Sequence, residues 1–465
     1  CSEVLDARRA EVAIAGERRW DATLQRPYLD EGGSEIEWRR FEATPDTPYA
    51  LEIEDFGSFD GLKLRPSRRQ PPGPREVEIE VKCCGVNFGE LVFVLDVYRE
   101  EMMDRQRGLG LDVAGEVVDV GSDVERLEEG ERVMACLVDG TTGHSRFVTT
   151  AEHHVVGAPG DLDWAEASTV PLTYGTAYYA MSTLGSLEPG MRVLIHSASG
   201  GVGHAAMEIA EDSGAEILAT AGTLEKREYL RERGIEWVMD SRSTEFADQI
   251  HDLTGGVGVD AVLNPKSGRG LERGLEVLRP LGQFLDISKR DRVEDNALGM
   301  GPFQKAIDFR AVDLIPVAQH APDRFRSLME DIQEFVDEGR GEAIPIDSRF
   351  SIADVDEAFR QMSRAEHIGK IVVDIEEQGV PLEARSGVLS EGEGPELTGT
   401  HVVAGWFGQC GRRLSSGSMH QGRQTLSSFF PIPLPISTPR SDGGSVERRM
   451  RRCGPFEPIL RIVHR

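Results

Sequence analysis

Small residues at a fixed spacing give the strongest chemical signal in the chain. Ala198, Gly200 and Gly203 follow a short apolar run and precede a stretch of helical periodicity. This is the spacing of a dinucleotide-binding turn, with alanine in the place of the first glycine, and it lets the backbone approach a pyrophosphate at a helix N-terminus. We predict a dinucleotide site here, and a purely structural turn is the alternative. The predicted phosphate-binding residues are Ser199, Gly200, Gly201, Val202 and Gly203.

The residues that follow the second strand of this unit indicate which dinucleotide binds. A carboxylate usually stands there to bind the ribose 2′-hydroxyl of NAD, but residues 220–223 read Thr-Ala-Gly-Thr. Lys226 follows one helical turn later, and Arg242 follows the next candidate strand. Because cations without a carboxylate suit a 2′-phosphate, we predict that NADPH is the cofactor and that both residues bind it. The alternative is that both are solvated surface charges.

Composition limits the classes of function. The 465 residues carry a formal net charge of −28, so nucleic acid is not an expected partner. The six cysteines show neither a CxxC pair nor metal-ligand spacing, which indicates thiols in a reducing compartment. The sequence shows no signal peptide and no apolar run of about 18 residues. We therefore expect a cytoplasmic protein with no membrane partner.

The order of candidate strands and helices predicts an α/β fold. Short strands between Gly- and Pro-rich turns indicate a β-rich domain, and the later alternation of strand and helix indicates a doubly wound parallel sheet. The predicted segments are 1–45 (a linker or the edge of a preceding domain), 46–170 (β-rich), 171–315 (nucleotide-binding), 316–375 (return to the β-rich domain), 376–398 (linker) and 399–465 (tail).

Six stretches of the chain carry a family resemblance. They read LKLRPSRRQPPGPREVEIEV, CGVNFGELVFVLDVY, DVAGEVVDVGSDVERLEEGERVMA, ASTVPLTYGTAYYAM, HSASGGVGHAA and MSRAEHIGKIVV. Together they resemble the enoyl reductase domain of type I polyketide synthases, a zinc-independent branch of the medium-chain dehydrogenase/reductase superfamily that is similar to quinone oxidoreductases. The resemblance covers roughly residues 46–375. It implies a GroES-like β-rich domain joined to a Rossmann sheet.

The resemblance also implies a function and its partners. The expected reaction is the NADPH-dependent reduction of a 2-enoyl thioester to the saturated acyl thioester, in polyketide or fatty-acid biosynthesis. The expected partners are an acyl carrier protein that holds the substrate and the other domains of a polyketide synthase, and a homodimer is left open. A free-standing NADPH quinone or enone reductase is one alternative. An inactive remnant of a broken polyketide synthase is another.

The resemblance assigns the catalytic residues and excludes a metal. Zinc-dependent members carry ligands where this chain has Asn87 and Leu111, so no metal site is expected. Hydride addition to the β-carbon then needs a hydrogen-bond donor for the enolate oxygen and a proton for the α-carbon. The resemblance implies that Tyr98, Lys289 and Asp313 are the candidate donors. The alternatives are that Tyr98 is a half-exposed tyrosine at the rim, that Lys289 is a surface lysine and that Asp313 only caps a helix.

Asn87 and Asn264 complete the predicted cofactor-binding set, and the chain departs from the family pattern beside each of them. Gly89-Glu90 replaces an Arg-Asp pair, and Pro265-Lys266 replaces a small or apolar pair. Residues 399–411 resemble the opening of a ketoreductase domain. The Arg-, Ser- and Pro-rich sequence that follows indicates a truncated or frameshifted copy, with a disordered tail as the alternative.

Overall fold

The computed structural model describes the backbone of residues 12–15, 18–21, 38–97, 108–376, 378–385, 401–404 and 460–463, with side chains over 40–97, 108–376 and 378–384. It divides the chain into two compact units, Cys1–Ser386 and Gly387–Arg465. In the second unit, the described part is an antiparallel pair of strands, His401–Ala404 and Leu460–Val463. The rest of the ketoreductase-like segment and of the tail lies outside the described residues.

A seven-stranded sheet forms the centre of the β-rich domain. Its longest strand, Glu76–Gly85, buries Val77, Ile79 and Val81, which alternate with more polar residues and so face one core. Across the sheet the strands are ordered Val155–Gly157, Arg132–Cys136, Asp112–Val120, Glu76–Gly85, Lys370–Asp374 and Ile346–Ser351, and Phe147–Ala151 also pairs with Glu76–Gly85. Outside this sheet and the Rossmann sheet, the described strands of Cys1–Ser386 form three antiparallel pairs: Val12–Ala15 with Arg18–Asp21, Trp38–Glu42 with Pro381–Arg385, and Tyr49–Ile53 with Leu62–Pro66.

The β-rich domain is completed by residues that follow the nucleotide-binding domain in sequence. Strand Lys370–Asp374 pairs antiparallel with Glu76–Gly85. Strand Pro381–Arg385 lies within the segment that the sequence predicted as a linker, where it pairs with Trp38–Glu42. Its Leu382 is fully buried in the core of the domain. Isolated five-residue strands of this kind are defined by their distant partner, which the local sequence does not show.

The Rossmann sheet has six parallel strands, and it confirms the predicted fold class. Its three middle strands are buried over most of their length, because helices cover both faces of the sheet. Val193 and Ile195 therefore face one buried cluster, while Leu194 faces another. The order across the sheet is Trp237–Asp240, Glu216–Ala221, Arg192–Ile195, Val259–Asn264, Leu278–Asp286 and Asp308–Ala311.

Helices surround both sheets. The described α-helices are Phe88–Val94, Trp164–Ala167, Pro171–Tyr178, Gly201–Asp212, Leu224–Glu232, Phe246–Leu253, Arg269–Glu276, Arg290–Val293, Leu314–His320, Pro322–Asp337 and Val355–Arg364. Helix Pro322–Asp337 buries Phe325, Met329 and Phe335 in the same cluster as Val193. Over the described part of the chain, no helix has the length and apolar character that a membrane span requires.

Candidate active site

The carboxyl ends of the parallel strands meet at one edge of the Rossmann sheet, and the predicted site residues of the Rossmann domain follow those ends. The chain adds strands to one side of Arg192–Ile195, beginning with Glu216–Ala221, and then crosses over to add strands to its other side, beginning with Val259–Asn264. This is a topological switch point, where open α/β sheets bind their ligands. The first three strands in sequence define the half that holds adenosine in such folds, and the next three define the half that holds the second mononucleotide.

The turn between Arg192–Ile195 and helix Gly201–Asp212 has the geometry of a phosphate site. Gly200 is the N-cap of this helix and offers no side chain to its free N–H groups. A Cβ on Gly203 would stand 2.5 Å from the carbonyl oxygen of Ala198, so only glycine lets the helix pack this closely. A Cβ on Gly200 would meet nothing nearer than the Ser197 oxygen at 3.4 Å, which leaves the approach to the backbone open. The turn therefore fits the pyrophosphate of a dinucleotide.

The turn is joined directly to the β-rich domain. The N–H of Gly369 donates to the carbonyl oxygen of Ser199 at 2.8 Å, and Gly200 and Gly369 form a parallel β-bridge. Gly369 has a φ of 79°, and a Cβ there would stand 1.9 Å from the carbonyl oxygen of Pro345. Only glycine can therefore make this approach. The contact brings Lys370, the next residue, to the phosphate turn.

Lys370 is a buried cation at the junction of the two domains. Its Nζ donates to Asn87 Oδ1 at 2.6 Å and to Asp112 Oδ2 at 2.7 Å. A Cβ on Gly201 would stand 3.1 Å from Lys370 Cδ, so the lysine stem lies against the phosphate turn. Asn87 Nδ2 is 3.0 Å from Asp112 Oδ2 and 3.1 Å from Glu90 Oε1. The amide of Asn87 is thus held in one orientation, with one lone pair of Oδ1 still free to accept a hydrogen bond.

Glu90 continues this buried cluster into the β-rich domain. Its Oε2 accepts from the N–H of Gly110 at 2.7 Å and lies 3.3 Å from Nε2 of His144. Burial alone would raise the pKa of Glu90, but the nearby His144 ring and the hydrogen bond from the N–H of Gly110 lower it below its usual value. Sequence reasoning marked Glu90 only as a departure from the family and missed Lys370 and His144. The available signal was a lysine within the apolar strand GKIVVDI, because a buried charge requires a partner.

The adenosine half of the edge carries the two cations predicted from sequence. Burial lowers the pKa of Lys226, the nearby charge of Arg242 lowers it further, and Asp347 opposes both effects. The Lys226 Nζ donates to the carbonyl oxygen of Ala365 at 2.8 Å. Arg242 is exposed, and its Nε lies 3.2 Å from the place of a Cβ on Gly222. The two cations therefore lie close together beside residues 220–223.

Asn264 is fully buried at the end of its strand. Its Nδ2 donates to Asp286 Oδ1 at 2.9 Å and to the carbonyl oxygen of Lys266 at 2.8 Å. Burial raises the pKa of Asp286, and the hydrogen bonds from Asn264 and Ser288 oppose that rise. Asn264 thus ties together the ends of two neighbouring strands in the second half of the edge.

Lys289 and Asp313 come together at the far end of the same edge, although other elements separate them in sequence. Lys289 Nζ lies 3.6 Å from Asp313 Oδ1. The lysine side chain is 39% exposed and the aspartate 13% exposed, so the amine is open to solvent. Asp313 also caps helix Leu314–His320, because Oδ1 accepts from the N–H of Ile315 at 3.2 Å. Tyr98, the third predicted catalytic residue, lies outside the described residues.

No group of three or more His, Cys, Asp or Glu residues that could hold a metal ion occurs in the described part of the chain. At the places of the zinc ligands, Asn87 bonds to Lys370 and Leu111 is buried. Cys83, Cys84 and Cys136 are free and buried. Burial raises the pKa of all three thiols, which keeps them protonated and unreactive.

Comparison with protein-family models identifies both domains. Residues 73–181 match the alcohol dehydrogenase GroES-like domain, and residues 201–333 match the zinc-binding dehydrogenase domain. The two matches correspond to the β-rich domain and to the Rossmann domain. They define a two-domain oxidoreductase of the alcohol dehydrogenase type.

Relatives and solved structures narrow this class. A phenolphthiocerol/phthiocerol polyketide synthase component of Mycobacterium tuberculosis is 36% identical over 421 residues, 87% of this chain and 19% of the relative. The chain thus spans about a fifth of the length of this curated relative. The CurK enoyl reductase is 35% identical with a TM-score of 0.65, and the CurF enoyl reductase cyclopropanase of curacin A biosynthesis is 33% identical with a TM-score of 0.65; each match covers 71% of this chain and all of the other. The chain therefore belongs to the polyketide synthase enoyl reductases of the medium-chain dehydrogenase/reductase superfamily, as its motifs predicted.

Proposed function

We propose that this chain reduces the Cα=Cβ bond of a 2-enoyl thioester that is carried by an acyl carrier protein, with NADPH as the reductant. The observation that supports this most directly is the Lys289–Asp313 pair, with Nζ and Oδ1 3.6 Å apart, at the same sheet edge as the phosphate turn. A dinucleotide that lies across this edge has its second mononucleotide on the side of these two residues. This supports the assignment of the pair to the substrate and the reactive ring.

The protein must act on two atoms of the substrate during this reaction, the thioester oxygen and the α-carbon. A reduced nicotinamide, when bound, supplies a hydride to the β-carbon of the substrate. The electron pair of the double bond then moves toward the thioester oxygen, which becomes an enolate oxygen and must be stabilised. The α-carbon must next take up a proton while the carbonyl re-forms. The product has gained one hydride and one proton, which is one equivalent of H₂.

Lys289 is suited to both tasks. Its ammonium can donate a hydrogen bond to the enolate oxygen, and it can give a proton to the α-carbon and recover it from solvent through its exposed face. Asp313 holds the ammonium in place, because its own position is fixed by the cap that it forms on helix Leu314–His320. Tyr98 is the second proposed donor. In this assignment Tyr98 controls the face of α-carbon protonation, and Lys289 controls the rate.

The choice of NADPH rests on charge at the adenosine half of the edge. Residues 220–223 hold no carboxylate, Thr220 is fully buried, and Lys226 and Arg242 lie beside them. A 2′-phosphate can pair with both cations, whereas residues 220–223 offer no carboxylate to accept a hydrogen bond from the 2′-hydroxyl of NADH.

The carrier-bound substrate and the neighbouring synthase domains are proposed from the relatives, which are multidomain polyketide synthases. The test compares NADPH oxidation with a crotonyl-carrier protein, with crotonyl-pantetheine and with a benzoquinone. Turnover of the carrier-bound enoyl thioester above that of the quinone supports the proposal. Preference for the quinone would assign the chain as a free-standing quinone reductase. NADPH binding without turnover of any substrate would identify an inactive remnant.

A further inference from the structure

The side chain of Lys266 crosses the edge of the Rossmann sheet where the carboxyl ends of its strands meet. The residue follows strand Val259–Asn264 and replaces a small or apolar residue of the family pattern. Its backbone is fixed by Asn264, since the Lys266 N–H donates to Asn264 Oδ1 at 3.2 Å. Its Nζ donates to the carbonyl oxygen of Ser241, just past the end of strand Trp237–Asp240.

The path of this side chain is defined by the strand order. Glu216–Ala221 and Arg192–Ile195 lie between the two strands that Lys266 connects. The lysine therefore passes over the carboxyl ends of the two middle strands, which is the adenosine half of the edge. Beneath it lie two aromatic rings: Lys266 Nζ is 5.8 Å from the ring centroid of Phe246, and the rings of Phe246 and His196 are 4.7 Å apart. An adenosine bound at this half of the edge would therefore meet the amine.

The amine has a neutral hydrogen-bond partner, and the one carboxylate that acts on it, that of Asp240, does so from beyond hydrogen-bond distance. Among the described residues, no carboxylate lies within ion-pair distance of Lys266 Nζ, and its hydrogen bond goes to a carbonyl oxygen. Burial lowers the pKa of Lys266, and attraction by Asp240 opposes the shift only in part. The charged form is thus incompletely compensated and would gain from an anion. Arg242, one of the proposed phosphate-binding cations, is the residue that follows Ser241 in sequence.

We propose that Lys266 determines cofactor specificity: on cofactor entry its ammonium leaves the Ser241 carbonyl and pairs with the 2′-phosphate of NADPH, together with Lys226 and Arg242. This inference rests on the proposed NADPH dependence. The phosphate replaces the hydrogen bond that entry breaks. NADH has no phosphate to offer, so its entry leaves the amine without a partner. Lys266 therefore favours NADPH both by attraction and by opposing NADH.

The test uses the full chain, with NADPH and NADH titrated separately by their fluorescence. In Lys266→Met, which keeps the length of the side chain and removes its charge, we expect NADPH affinity to fall about tenfold or more and NADH affinity to stay equal or rise. Lys266→Arg should keep most of the preference. The matched control is Lys305→Met. Lys305 Nζ also donates to backbone carbonyls, those of Glu276 and Leu278, but at the opposite edge of the sheet.

The outcomes separate this inference from the proposed function. A wild-type chain with equal affinities for the two cofactors contradicts both. A wild-type preference for NADPH that Lys266→Met leaves unchanged contradicts only the role of Lys266. An equal loss of affinity for NADPH and NADH in Lys266→Met would show that Lys266 only packs against the site, and it would also overturn the inference. If Lys266→Met fails to fold, Lys266→Gln keeps a donor for Ser241 without the charge, and the same loss of preference is expected.

Discussion

The ammonium of Lys370 lies 2.7 Å from a carboxylate oxygen of Asp112, and the two side chains are 3% and 0% exposed. Lys370 comes from the strand that follows the Rossmann domain in sequence, whereas Asp112 comes from a strand that precedes it. The second oxygen of Asp112 accepts from the N–H of Leu172 at 2.5 Å. One ion pair therefore joins three segments of the chain beneath the phosphate turn.

Removing one partner of this pair should be strongly destabilising. In Lys370→Met, the carboxylate of Asp112 would remain buried without its counter-charge, and we expect a loss of about 3–5 kcal/mol in the free energy of unfolding. Urea denaturation measures it. The exposed pair of Arg269 and Glu272, 2.9 Å apart, provides the control, and Arg269→Met should cost less than about 1 kcal/mol. A loss of that small size in Lys370→Met would show that the pair is not buried in solution.

Lys226 should contribute to the preference for NADPH. In Lys226→Ala, we expect NADPH binding to weaken by about 1.5–3 kcal/mol, because one charge-assisted contact with the phosphate is lost. NADH binding should change little. Fluorescence titration of both cofactors measures the difference. Arg231→Ala, on the same helix but bonded to the carbonyl oxygen of Val238, is the control. An unchanged preference in Lys226→Ala would remove this residue from the site.

Lys289 should set the rate of the reaction. In Lys289→Ala, we expect turnover of a 2-methyl-enoyl pantetheine ester to fall by about 10–1000-fold, because a hydrogen-bond donor and proton source is lost. Tyr98→Phe should change the rate less and the configuration at the α-carbon more. Stopped-flow oxidation of NADPH and chiral analysis of the product give the two readouts.

The double variant of Lys289 and Tyr98 separates these roles from redundancy. If it reduces the ester at the parental rate and with the parental configuration, neither residue is the donor and a bound water becomes the better candidate. Asp313→Asn tests whether Asp313 holds Lys289 in place. The amide keeps an oxygen that can accept from the N–H of Ile315, but it removes the negative charge next to Lys289. It should lower turnover without lowering the melting temperature.

Chelation should leave the activity intact. Asn87 and Leu111 stand where zinc-dependent relatives carry ligands, and Asn87 is already bonded to Lys370. We expect equal turnover before and after dialysis against EDTA, measured with the same enoyl thioester. Activity that is lost on chelation and restored by zinc would contradict this prediction.

The free energy of unfolding should fall as the pH is lowered below neutrality. Burial lowers the pKa of His204 from 6.5 to about 4. Nδ1 donates to the carbonyl oxygen of Gly200 at 3.0 Å, and Nε2 then accepts from the hydroxyl of Tyr229 at 2.9 Å, so the folded state holds the neutral ring. The unfolded chain binds this proton at higher pH. The stabilisation is therefore present above pH 6.5 and is lost as the pH falls toward 4.

For His204 alone this loss amounts to about 3 kcal/mol. Urea denaturation between these pH values measures it. His204→Gln should give a flatter pH dependence than the wild type, while the exposed His320→Gln should follow the wild-type curve. An identical pH dependence in His204→Gln would assign the acid sensitivity to other groups.

Local patterns were sufficient to predict the Rossmann domain and its phosphate turn. The spacing of Ala198, Gly200 and Gly203 is a property of one continuous segment, and its flanking strand and helix lie within a few residues. The resemblance named Lys289 and Asp313 as candidate residues. They lie close together because each follows one of two neighbouring parallel strands, whose carboxyl ends are side by side. The roles of Tyr98 and of the individual cofactor-binding residues stay predictions.

The buried cluster was beyond sequence reasoning. Lys370 and Asn87 are 283 positions apart. They come into contact because the chain leaves the β-rich domain, forms the Rossmann domain and then returns to add one more strand to the first sheet. The strand Pro381–Arg385 was missed for the same reason, since its partner Trp38–Glu42 lies more than 300 positions earlier. Lys266 was visible as a departure from the family, but only the strand order shows that it crosses the adenosine half.

The bridge between Gly200 and Gly369 has a mechanical consequence. Because the Gly369 N–H donates to the carbonyl oxygen of Ser199, the main chain itself holds the phosphate turn in register with the strand that begins at Lys370. Neither glycine of the bridge has a side chain, so no rotamer change can alter this spacing. A substitution that shifts the phosphate turn against the β-rich domain would have to act on the backbone.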